Sequence, residues 1–137
     1  MQLIVQALTP LLIQVMLQST TQWDQKVVQE TDLVKASILV ISKKRLGAAA
    51  VVNAQNELVG IFTDGDLRRM LEKYDDFSAL TIAEVMTRNP KTIAKGEYAL
   101  RALNQMREHD INQLIVVDQK RVVGFLHISD LLNEGIV

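Results

Sequence analysis

At 137 residues and 48% hydrophobic, the chain can form one ordinary domain or two very small ones, and it is too apolar for disorder. Its 15 basic and 16 acidic residues leave a net charge of −1, which argues against nucleic acid or an anionic membrane as partner and requires any anion site to be local. With 0 cysteines, disulfides and thiolate chemistry are excluded, and the 2 histidines, His109 and His127, lack metal-ligand spacing.

The chain opens on an apolar stretch, MQLIVQALTPLLIQVMLQ. No Lys or Arg precedes Lys26, so the basic flank of a secretory signal is missing. Gln2, Gln6, Gln14 and Gln18 interrupt the run, which argues against a membrane span and places a narrow polar stripe on a helix. Residues 1–25 are therefore expected to be a buried lead-in helix or a subunit contact, in a cytoplasmic protein.

From Lys26 the chain contains itself twice. KVVQETDLVKASILVISKKRLGAAAVVN aligns without a gap on KTIAKGEYALRALNQMREHDINQLIVVD, which begins at Lys91. The turn after Asn53 is one residue longer than the turn after Asp118, and ELVGIFTDGDLRRML then lies on RVVGFLHISDLLNEG. Gly60 thus meets Gly124, Thr63 meets His127 and Asp66 meets Asp130.

Each copy predicts the same elements. A short extended piece (Lys26–Val28, Thr92–Ile93) leads into a helix; Ala99, Ala102, Leu103 and Met106 carry its apolar stripe in the second copy. Two apolar strands follow, Ala48–Val52 with Leu58–Phe62 and Leu114–Val117 with Val122–Leu126. A last helix starts at Asp64 or Ser129, and Leu67, Met70, Leu71 and Tyr74 would form its buried stripe in the first copy. The fold class is α/β: two β-α-β-β-α repeats, residues 26–74 and 82–137, joined by a polar linker at 75–81 in which Ser78 and Thr81 can cap helices. Units this small rarely bury enough surface alone, so the two are expected to pack about a pseudo-twofold axis.

The candidate chemistry lies at the two strand-to-helix corners, GIFTDGDLRR from Gly60 and GFLHISDLL from Gly124. A helix start presents unpaired N–H groups and suits a phosphate. Thr63 or Asp64 can cap the first helix, and the Asp66 carboxylate could accept from a ribose cis-diol. Ser129 and Asp130 take the corresponding places in the second copy, with His127 where the first has Thr63. Capping alone would explain the same residues; their repetition at fixed spacing favours binding. Of the two arginines after Asp66, Arg68 is the candidate for an anionic ligand or a neighbouring subunit, against the alternative that a guanidinium pairs a carboxylate. Asp64 and Asp66 alone are a weak metal cluster, so no cofactor is required, and magnesium would arrive with a nucleotide. His109 ends a helix, and Trp23, near the first candidate site, would pack against the other repeat or stack on a base.

Gly-hydrophobic-hydrophobic-Thr-x-x-Asp, closing a repeat that occurs twice, resembles the tandem cystathionine β-synthase (CBS) module from about residue 9 to the end. The EVMTRNPKTI segment from Glu84 is similar to that family's opening segment. The resemblance implies that Thr63, Asp66 and Asp130 hold the phosphate and ribose of a nucleotide. FTDGDLRR and the ending HISDLLNEGIV further resemble the CBS pair of bacterial arabinose 5-phosphate isomerases. That likeness implies a parent protein with a sugar isomerase (SIS) domain, serving 3-deoxy-D-manno-octulosonate (Kdo) synthesis for lipopolysaccharide or capsule. It implies a ligand such as CMP-Kdo, and a homodimer or tetramer. Nothing in this sequence resembles the SIS phosphate loop, and Gln14-Val15-Met16 leading into TTQWDQKVV departs from the acidic residue and Gly-Asp-x-x-Pro that the family carries around its first Met. A dimerisation module without ligand and a free-standing adenine-nucleotide sensor are the alternatives. An independent enzyme is disfavoured, because no nucleophile-base pair or carboxylate dyad can be named.

Overall fold

The computed structural model describes residues 27–42 and 47–133, with the side chains of 39–42, 130, 132 and 133 outside that description. The apolar lead-in 1–25, including Trp23, also lies outside it. The described chain divides into two compact units, one built on residues 27–90 and the other on most of 91–133.

In the first unit, β1 (Val27–Gln29) runs parallel to β2 (Ala48–Val52), and α1 (Val34–Ser42) makes the crossover that a parallel pair requires. β2 then pairs antiparallel with β3 (Leu58–Thr63) through the Asn53–Glu57 turn. Asn53 organises that turn: its Oδ1 accepts the N–H groups of Gln55 and Glu57, and Asn56 takes a positive φ of 66°. All five residues of β2 are buried, as expected of a central strand covered on both faces.

α2 (Asp64–Lys73) follows β3 directly. Its stripe is narrower than the spacing predicts: Met70 is buried and Leu67 and Tyr74 pack against the core, but Leu71 is 53% exposed. Leu71 lies one residue past Met70 and so about 100° round the helix, beyond the edge of the buried face. Phe62, Val34, Ile82 and Met70 anchor this unit's core.

After α2 comes the polar segment 75–81, made of turns and an isolated bridge at Thr81. Ser78 caps no helix there; its N–H donates to Asp76 Oδ1 at 2.9 Å. Thr81 stands at the N-cap of the short helix α3 (Ile82–Val85) without a side-chain cap bond. A two-residue strand, β4 (Thr87–Arg88), then pairs antiparallel with β3, giving the sheet order β1-β2-β3-β4. Gly60 permits this approach: a Cβ there would lie 2.6 Å from Met86 Sδ and 2.8 Å from the Thr87 carbonyl oxygen.

The second unit repeats the plan. β5 (Thr92–Ala94) is parallel to β6 (Gln113–Asp118) through α4 (Ala99–Glu108), and β7 (Arg121–His127) adjoins β6. The β6–β7 turn has positive φ at both central residues, Gln119 at 51° and Lys120 at 73°, the pattern of a tight type I′ hairpin. Ala99, Ala102, Leu103 and Met106 of α4 are all buried against Leu114, Val116 and Leu126, as their spacing predicts. His109 occupies the C-cap position of α4. α5 (Ile128–Asn133) closes the described chain. Among the described residues no helix is long and apolar enough to cross a membrane.

Candidate functional site

β3 ends and α2 begins without an intervening loop, so the corner is set by backbone bonds and one side-chain cap. Asp64 N–H donates to the Gly47 carbonyl at 3.0 Å, holding the helix start against the beginning of β2. Gly47 has φ of 63°, and a Cβ on it would lie 2.5 Å from Asp64 Oδ2, so the carboxylate rests over a residue that must be glycine.

Thr63 and Asp66 form a reciprocal capping box. Thr63 Oγ1 accepts the Asp66 N–H at 3.1 Å, and Asp66 Oδ2 accepts the Thr63 N–H at 2.9 Å. The cap residue is therefore Thr63, and Asp64 is the exposed first residue of the helix.

Asp66 does more than cap. It is 4% exposed, a depth at which a carboxylate needs its acceptor positions filled. Oδ2 also lies 3.1 Å from the Thr63 hydroxyl. Oδ1 accepts from Arg69 Nη2 and from the Thr87 hydroxyl, each at 2.7 Å. Arg69 pairs one turn along the helix, and its side chain is 68% exposed. Thr87 reaches in from β4, 21 residues away in sequence. A ligand diol reaches this carboxylate only by displacing one of these donors.

Of the two arginines, the structure gives Asp66 to Arg69 and leaves Arg68 exposed on the helix surface. Beside the network lies a concavity of about 230 Å³, lined by Asp66, Arg69, Met70, Lys73, Tyr74, Glu84 and Val85. Its charged lining is balanced, two acids against two bases, and Lys73 Nζ stands 5.4 Å from the centre of the Tyr74 ring. Among the described residues no group of three or more His, Asp or Glu side chains could hold a metal ion.

The second corner reuses the backbone with different side chains. Ile128 N–H donates to the Asn112 carbonyl at 2.8 Å, as Asp64 does to Gly47. His127 Nδ1 accepts the Ser129 N–H at 3.0 Å and lies 2.8 Å from the Ser129 hydroxyl. A backbone N–H can only donate, so Nδ1 is the acceptor, and in the neutral ring the proton sits on Nε2. Asp130 lies on α5 in register with Asp66, and its side chain falls outside the described residues.

Thr87 and Arg69 are the partners that spacing did not single out. The i, i+3 relation of Asp66 and Arg69 was a usable signal. For Thr87 no local signal exists, because its contact depends on β4 pairing with β3.

Two β-α-β-β-α units, each closing on this corner, define a tandem repeat module, and the chain belongs to the CBS domain family, whose sequence model matches residues 24–73 and 82–136. It is similar to arabinose 5-phosphate isomerase KdsD of Francisella tularensis, at 45% identity over 108 residues, covering 78% of this chain and 33% of that protein. The chain thus spans about a third of the length of the curated relatives it matches. Among solved structures, the CBS domain protein NE2398 shares the fold, with a TM-score of 0.73 at 24% identity, covering 91% of this chain and 98% of that one. The CBS domain pair of MJ0100, solved with 5′-methylthioadenosine and S-adenosyl-L-methionine, superposes with a TM-score of 0.68 at 25% identity, covering 80% of this chain and 89% of that one.

Proposed function

We propose that this CBS pair is a regulatory module that binds a nucleotide-like ligand at its strand-to-helix corners and signals to a sugar-phosphate isomerase domain. The observation that carries this reading is the corner itself, built twice on the same backbone with Thr63 and Asp66 in one copy and His127, Ser129 and Asp130 in the other. Adenosine derivatives in the MJ0100 pair support a ligand with a ribose, and KdsD supports the isomerase as the regulated partner. Within that class, the pathway position of such an isomerase makes a CMP-sugar acid such as CMP-Kdo the specific candidate, with magnesium carried by the nucleotide if it takes part.

Mechanistically, a phosphate or carboxylate would compete for the capped N–H groups at the start of α2, where Thr63 Oγ1 holds that of Asp66, or of α5, where His127 Nδ1 holds that of Ser129, and the ribose hydroxyls would go to Asp66 or Asp130. Asp64 is exposed at the mouth of the first corner and would discriminate against ligands with excess negative charge there.

A thermal-shift screen of this chain against AMP, ADP, ATP, S-adenosyl-L-methionine, CMP and CMP-Kdo, with and without magnesium, tests the proposal. A ligand at 100 times its dissociation constant adds about 2.7 kcal/mol of stability. The expected result is a shift with one of them that disappears in Thr63→Val or Asp130→Ala. No shift with any, together with a melting temperature that rises with protein concentration, would replace sensing by dimerisation.

A further inference from the structure

The carboxylate that the ligand would use is already occupied by the protein, and one of its occupants comes from a different part of the chain. Asp66 accepts from Arg69 on its own helix and from Thr87 on β4. Of these, the Thr87 bond is the one that ties α2 to the segment following the polar linker. β4 is short: it holds to β3 through two residue pairs, Gly60↔Arg88 and Ile61↔Thr87. The hydroxyl bond to a buried carboxylate is therefore a large share of what fixes this strand.

We propose that Asp66 is a two-position switch, holding Thr87 when the corner is empty and a ribose diol when it is filled. Resting on the ligand-binding reading above, the switch gives that reading a mechanism. Asp66 is 4% exposed and already has a donor on every acceptor position, so a diol enters only as one donor leaves, and the switch assigns that place to Thr87. Ligand binding then loosens β4 from the corner, and loosening β4 favours ligand, by the reciprocity that governs any two events competing for one group. β4 runs through Asn89 and Pro90 into β5, so the segment released is the one that enters the second repeat. Thr87 and Arg69 are positioning residues in this scheme: they set the affinity of the corner from the protein side.

At the second corner Asn133 stands where the first repeat has Arg69, and His127 caps through Nδ1 to Ser129. The switch is proposed for the first corner.

The test uses the whole chain and calorimetric titration with AMP, CMP and S-adenosyl-L-methionine, each of which carries a ribose cis-diol. Thr87→Val keeps the shape of the side chain and removes the donor. It is expected to bind the preferred ligand about tenfold more tightly than wild type, the equivalent of one charge-assisted hydrogen bond no longer broken on binding. Thr87→Ser keeps the hydroxyl and should match wild type. The corresponding 2′-deoxynucleotide should gain nothing from Thr87→Val. Hydrogen exchange supplies a second readout: ligand should speed exchange of the Arg88 amide in wild type. Unchanged or weaker binding in Thr87→Val, with wild type binding normally, overturns the switch and leaves the sensor reading intact. Absence of binding by wild type and by Thr87→Val for all three ligands, and for CMP-Kdo titrated in the same way, removes both.

Discussion

At the end of β3, a threonine hydroxyl caps α2 and an aspartate three residues on returns the bond, while at the end of β7 an imidazole nitrogen caps α5 at its second residue. The backbones agree down to the N–H that reaches back to the residue before the first hairpin strand, from Asp64 to Gly47 and from Ile128 to Asn112. The side chains have diverged. In the first corner a buried carboxylate collects donors from three places, its own cap, the next helical turn and β4. In the second, His127 caps Ser129 two residues on. Duplication preserved the geometry of the turn and left the chemistry free to differ.

The comparison predicts unequal costs for equivalent substitutions. Asp66→Ala removes a capping box and leaves the Thr87 hydroxyl without its acceptor at a buried site, and should lower stability by about 2–3 kcal/mol. His127→Ala removes one cap acceptor and should cost about 1 kcal/mol. Urea unfolding of the two variants checks both values. Equal costs would mean that the two corners carry the same structural weight, and the asymmetry would be lost.

A third carboxylate sharpens the contrast between buried and exposed caps. Asp76 accepts the Ser78 N–H, and this bond, together with the Ser78 side chain and a smaller contribution from Lys35, holds its carboxyl below the ordinary value of 3.8. A depressed folded-state value means that the ionised form favours folding. Its contribution is complete above the unfolded value and is lost as pH falls below 3.8 through the folded value. The difference in melting temperature between wild type and Asp76→Asn should therefore be present at neutral pH and shrink in acid. The effect is small because the group is fully exposed to solvent. A difference that grows on acidification would contradict the assigned cause.

Most of the framework was legible because it is periodic. Ala48–Val52 is a strand with the expected bounds, and the α4 stripe of Ala99, Ala102, Leu103 and Met106 is buried in full. The two copies stand out in self-alignment because they share length and order. What escaped is non-periodic. β4 is two residues long, too short for any alternation, and exists because Gly60 leaves room beside it. Leu71 fits an i, i+4 pattern with Leu67 yet faces out, since the buried arc of α2 is only wide enough for Leu67, Met70 and Tyr74. Thr63 and Asp66 were legible as cap and carboxylate. That Asp66 is already bonded to Arg69 and Thr87 could be learned only from the fold.

The position of Thr87 in the chain also has a consequence for how the first repeat is made. The β2–β3 hairpin is closed by a short turn and can form early, whereas β1 needs α1 to cross back, and β4 must wait for α2 and α3. During synthesis Asp66 emerges from the ribosome before Thr87 does. The nascent first repeat therefore spends an interval with its buried carboxylate short of one donor, and becomes complete only as the strand leading into the second repeat emerges.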